Sequence, residues 1–113
     1  MSNIIIKTPE QIEGIRESSR LAAQTLDYAG RFVKEGVTTG FIDQKIEEFI
    51  LNNNALPAPK GYNGFPKASC ISLNEVVCHG IPSDKIVIKD GDILNIDITT
   101  ILNGFYGDTS RMF

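Results

Sequence analysis

The sequence predicts an α+β domain in which two helices lie on one face of an antiparallel sheet. In its first half, apolar residues recur near the 3.6-residue period, at Ile12, Ile15, Ala22, Leu26, Ala29 and Val33, then at Ile42, Ile46, Phe49 and Ile50. The second half breaks into short β-branched runs punctuated by Gly, Pro and Asn, and it contains the dipeptide Asn103-Gly104. That dipeptide is the strongest short hairpin signal, because a type I′ turn needs positive φ at both central residues. A chain of 113 residues makes one domain at most, large enough to bury a core.

The first helix opens at Thr8-Pro9-Glu10-Gln11. Thr8 can cap, Pro9 suits the first helical position, and Gln11 completes a capping box. Glu35-Gly36 is expected to end it. Thr38 or Thr39 opens the second helix, Asn52-Asn53-Asn54 closes it, and Pro57 and Pro59 forbid resumption. The charged residues of both helices lie off the apolar stripes and are expected on solvated faces, so the helices read as packing elements. Residues 61–66 form a turn-rich loop presenting Tyr62 and Phe65. Short strands are expected at Ala68–Leu73 and Glu75–Cys78, and Lys89-Asp90-Gly91-Asp92 is a tight turn that launches the hairpin.

Composition excludes several classes. It is ordinary globular, 42% hydrophobic and 22% charged, and a net charge of −3 gives no electrostatic case for nucleic acid or an anionic membrane. No apolar run approaches the roughly 20 residues of a membrane helix, and the N-terminus lacks the h-region of a signal peptide. A cytoplasmic address is expected. Cys70 and Cys78 form no CxxC pair, and with His79 their spacing matches no common zinc module, so they read as small half-buried strand residues. Phe113 interrupts an apolar strand pattern without a cap or polar tail, as expected of the front part of something longer.

The hairpin carries the chemistry. With a two-residue turn, Leu102 faces Phe105, Thr100 faces Gly107 and Thr99 faces Asp108. Alternation then places Asp97 on the face of Thr99, diagonal to Asp108, at roughly 7–8 Å between Cα atoms. Leu94, Ile96 and Ile98 point the other way, into a core. Two like charges this close cost free energy unless a cation lies between them or one is protonated. A divalent metal site answers that cost, and a solvated face with mild repulsion is the alternative. His79, the lone histidine, is either incidental or a group able to stabilise an oxyanion or move a proton. Tyr62 and Phe65 read as loop-packing aromatics or as pocket walls.

Taken together, Cys78-His79-Gly80-Ile81-Pro82, Asn95-Ile96-Asp97 and Gly107-Asp108-Thr109 stand in the order and spacing of the bacterial-type (type I) methionine aminopeptidases. The chain resembles that family over nearly its whole length, including the helix pair and the Val37-Thr38-Thr39-Gly40 turn. The resemblance implies the N-terminal half of a pita-bread (creatinase/aminopeptidase-type) fold, with residues 1–113 as the N-terminal part of one catalytic domain. It implies two divalent metal ions, Co, Mn, Fe or Zn, with Asp97 binding one and Asp108 bridging both. His79 would contact substrate and stabilise the transition state. Tyr62, Phe65 and Cys70 would line the pocket for the methionine side chain, and the backbone carbonyls of Asn74 and Val76 would hold a monovalent cation. Phe65 replaces a tyrosine common in the family, and Asn63 a common histidine.

The activity implied is removal of the N-terminal methionine of nascent proteins when the next residue is small, by attack of a metal-bridging water. Ribosome contact and a monomeric state when full length belong to the same set of expectations. A histidine and two glutamates that complete the metal shell in the family have no counterpart in these 113 residues, so the chain alone is expected to be inactive. Two other readings compete. A proline-specific aminopeptidase of the same fold would prefer Xaa-Pro peptides, and a non-catalytic binding module of that fold would have replaced the downstream ligands.

Overall fold

The computed structural model describes residues 8–60, 67–74 and 81–113. The expected capping box forms. The Thr8 side chain accepts from the Gln11 N–H at 3.1 Å, and the Gln11 side chain accepts from the Thr8 N–H at 2.8 Å, with Pro9 in the first turn. Helix α1 spans Pro9–Gly30. It ends before Glu35-Gly36, which corrects the sequence reading. Gly30 is a poor helix former, and the amides of Arg31, Phe32 and Val33 each bond three residues back, tightening the chain out of α geometry. Gly36, at φ +89°, serves the loop that follows.

Helix α2 spans Thr39–Asn52, capped by the Thr38 hydroxyl, which accepts from the Phe41 amide at 3.0 Å. Ile42, Ile46 and Ile50 are fully buried along it. Tyr28 meets Phe32 edge-to-face and, across the helix pair, Phe49 at a tilt, with 4.9 Å between centroids. Strand β1 is only Leu56–Pro57, β2 is Cys70–Leu73, β3 is Leu94–Leu102 and β4 is Phe105–Met112. The strand expected from Ala68 thus begins at Cys70, and the run expected at Glu75–Cys78 lies outside the described residues. Sequence reading treated Pro57 only as a helix breaker. It also pairs with Thr100, a position a proline tolerates in a two-residue edge strand.

Strand β3 is the axis. β4 follows one of its edges from Asn95 to Leu102, so β2, opposite Leu94 to Asp97, and β1, opposite Thr100 and Ile101, share the other edge. Burial alternates along it: Leu94, Ile96, Ile98 and Thr100 are fully buried, while Asn95, Asp97 and Thr99 are half-buried on the opposite face. Leu94, Ile96 and Ile98 join Leu21, Ala22, Leu26 and Ala29 of α1 and the isoleucines of α2 in one core.

Two polar residues of α1, Ser18 and Thr25, are also fully buried, which the apolar stripe does not anticipate. Ser18 exchanges hydrogen bonds with Thr100, its Oγ lying 2.7 Å from Thr100 Oγ1, and the Thr100 hydroxyl donates to the Ser18 carbonyl at 2.8 Å. Thr25 bonds back to the Leu21 carbonyl at 2.7 Å. Ile12, placed on the stripe from its spacing, is 45% exposed because it precedes the part of α1 that covers the sheet.

Gly107 makes the Ser18–Thr100 contact possible. A Cβ there would overlap the backbone of Ser18 and Ser19. Gly107→Ala is expected to destabilise the fold by about 1–3 kcal/mol, because backbone rather than a flexible side chain must move. A lowered denaturant midpoint with an unchanged slope is the expected reading. An unchanged midpoint would mean that helix and hairpin separate without penalty.

Candidate metal centre

The hairpin register is the one expected from its turn. Asn103 and Gly104 sit at φ +52° and +82°, and Leu102 pairs with Phe105, Thr100 with Gly107 and Thr99 with Asp108. Asp97 pairs with Ser110 on β4 and, across its other edge, with Cys70 on β2. Asp97, Thr99, Asp108 and Cys70 therefore occupy the sheet face turned away from the helices. The Thr99 hydroxyl donates to Asp108 Oδ1 at 3.1 Å, which orients that carboxylate, and Oδ2 has no hydrogen-bond partner among the described residues. Asp97 is half-buried and Asp108 exposed.

Hard oxygen donors on one rigid face fit a divalent cation, and a two-stranded ladder holds them more precisely than a loop would. Among the described residues no group of three or more His, Cys, Asp or Glu side chains converges. Cys70, directly opposite Asp97, has its thiol pushed up by burial first, then by the negative charges of Asp97 and Asp43. It is a neutral wall at the edge of the carboxylate face.

Asn74 follows β2 in the left-handed region, φ +52°. Its amide donates to Asp92 Oδ1 at 3.0 Å and accepts from the Ile93 N–H at 2.9 Å, and Asp92 Oδ2 accepts from the Lys89 N–H at 2.8 Å. This lock, closed over Gly91 at φ +88°, aims the start of β3. His79, Tyr62, Phe65 and Val76, assigned to substrate contact, the methionine pocket and the monovalent cation, lie outside the described residues, as does Cys78.

One correction falls within the helices. Asp43 of α2, expected on a solvated face, is only 4% exposed. Its Oδ1 accepts from the Ser69 amide at 2.8 Å and the Ser69 hydroxyl at 2.5 Å, and its Oδ2 from the Ala68 amide at 3.2 Å. Burial pushes its carboxyl above the usual range, and these bonds pull it part of the way back. A signal was present in the spacing: Thr39, Asp43, Ile46 and Ile50 follow i, i+4, i+7, i+11, the inward stripe of a helix. Thr39 is likewise fully buried, its hydroxyl accepting from the Ser83 amide at 2.9 Å while Gly40 donates its amide to the Ser83 carbonyl at 3.0 Å.

The sequence profile of metallopeptidase family M24 matches residues 13–113, and the chain belongs to that family. It is 55% identical over 111 residues to the methionine aminopeptidase of Escherichia coli K12, a match covering 97% of this chain and 42% of that protein. The crystal structure of methionine aminopeptidase from Rickettsia prowazekii superposes with a TM-score of 0.94 at 52% identity, over 97% of this chain and 44% of that one. Aminopeptidase P from E. coli, at 23% identity and a TM-score of 0.80 over 95% of this chain and 23% of that one, shares the fold alone. The fold is the helix-on-sheet unit of the pita-bread aminopeptidases. The chain spans less than half the length of the curated relatives it matches.

Asp92 sets a pH dependence. The Asn74 amide, then the Lys89 N–H, hold its carboxyl below the usual range. Its contribution to stability is therefore complete above the ordinary aspartate value of about 3.9 and is lost as pH falls through the lowered folded value. Asp43 acts with the opposite sign, since its raised carboxyl favours the folded state when protonated. The gap in denaturant midpoint between the wild-type protein and Asp92→Asn is expected to narrow from about pH 6 to about pH 3. A gap constant over that range would show that the lock does not depend on charge.

Proposed function

We propose that this chain is the N-terminal part of the catalytic domain of a methionine aminopeptidase, a metal-dependent exopeptidase that removes the N-terminal methionine of nascent proteins when the next residue is small. One observation carries the reading. The aspartates that the hairpin turns to a single face stand within a chain 55% identical, over 97% of its length, to a methionine aminopeptidase. Cytoplasmic location, ribosome contact and a monomeric full-length state accompany it as parts of the proposal. Among the described residues no helix is long and apolar enough to cross a membrane.

Asp97 and Asp108 would hold two divalent ions, of the Co, Mn, Fe or Zn type that oxygen-rich sites accept. Such ions, when bound, supply Lewis-acid polarisation of the scissile carbonyl and activation of water. The chain's own residues do the rest. Thr99 holds Asp108 in one orientation through its Oδ1. Cys70, beside Asp97, offers a small neutral surface suited to the methionine side chain, a pocket that Tyr62 and Phe65 would complete. His79 would contact the substrate and donate to the developing oxyanion. Asn74 and Val76 would offer carbonyls to a monovalent cation, and Asn74 already braces the turn beneath β3.

The test uses the protein as its cell makes it, assayed for methionine release from a Met-Gly peptide. Release is expected to stop on chelation and return with added divalent metal. Asp97→Asn and Asp108→Asn are each expected to lower it more than about a hundredfold, since each removes a charged ligand rather than an outer partner. The 113-residue chain alone, with two of the expected ligands, is expected to release none. Release that survives chelation, or a preference for Xaa-Pro peptides, would overturn the proposal.

A further inference from the structure

We infer that Asp43 is a positioning residue for the methionine pocket, acting through Ser69 to set Cys70 against Asp97. The inference rests on the function proposed above. A carboxyl side chain at an inward helical position costs free energy that an apolar residue would avoid. Here that cost falls where the backbone must be aimed. Both oxygens of Asp43 are committed to donors of two adjacent residues, Ala68 and Ser69, each fully buried. The next residue, Cys70, begins β2, a strand of four residues whose pairing to β3 starts at the Cys70–Asp97 position. Alternation turns Ser69 toward the helix layer and Cys70 toward the carboxylate face, so a grip on Ser69 from α2 fixes Cys70 on the far side of the sheet.

The same half of α2 holds a second segment. Thr39 and Gly40 bond Ser83, and a Cβ on Gly40 would lie 2.7 Å from the Asp84 amide nitrogen. One helical turn thus ties down both the entry to β2 and the chain at Ser83-Asp84. Its first four or five residues are a bracket for the opposite face, and Asp43 is the part of it next to Cys70.

Asp43→Asn replaces the acceptor at Ala68 with an amide donor at nearly constant volume. Ser69→Ala removes one bond of three and leaves both backbone bonds intact. In the full-length, metal-loaded protein, Asp43→Asn is expected to raise KM for a Met-Gly peptide about tenfold, with kcat within about threefold and bound metal unchanged. Discrimination between methionine and norleucine at the first position should shrink with it. Ser69→Ala should move KM the same way by less, and where Asp43→Asn does not fold, the KM of Ser69→Ala decides. An unchanged KM, or kcat and metal content falling while KM holds, would overturn the inference. Should the wild-type protein release no methionine, the proposed function fails, and amide hydrogen exchange across Ser69–Leu73 then tests the anchoring by itself. Faster exchange in Asp43→Asn sustains it, and unchanged exchange overturns it.

Discussion

The two-residue turn at Asn103 and Gly104 decides the parity of every side chain on the hairpin. Because successive strand residues face opposite ways, one residue more in that turn would exchange the buried and open faces of β4 relative to β3. Gly107 would then no longer meet Ser18, and Asp108 would leave the face of Asp97. The positive φ of Asn103 and Gly104 thus underlies both the close approach of α1 and the placing of both carboxylates on one face. Site and core depend on one backbone conformation.

Strand β3 makes that dependence rigid. Bonded along both edges, it leaves Asp97 little freedom beyond its side-chain torsions. The lock of Asn74 and Asp92 fixes where the strand begins, and the buried exchange between Ser18 and Thr100 fixes how far α1 stands from it. Each polar group taken from water along this path finds a partner, and among the described residues no buried side-chain nitrogen or oxygen is left without one.

What the sequence made legible follows from where the signal is local. The capping box at Thr8, the cap at Thr38, the Asn-Gly turn and the alternation of β3 each depend on a few neighbouring residues, and each is seen in the fold. The end of α1 is not legible, because Glu35-Gly36 resembles a helix stop more strongly than Gly30 does, although tight bonding ends the helix at Gly30. Strand β1 was missed because two residues carry no period. The charge of Asp43 points to solvent while its spacing points inward, and only Ser69, distant in sequence, gives its burial a reason. That Asp97 and Asp108 share a face is legible as geometry, while the use proposed for them rests on likeness to relatives.

Asp108 also stands on a strand whose outer edge has no partner among the described residues, beside the exposed Tyr106 and Met112. Unpaired edges with apolar neighbours invite strands of other molecules, and a charge is a common guard against it. Among the described residues, a charge at Asp108 disfavours such pairing along β4.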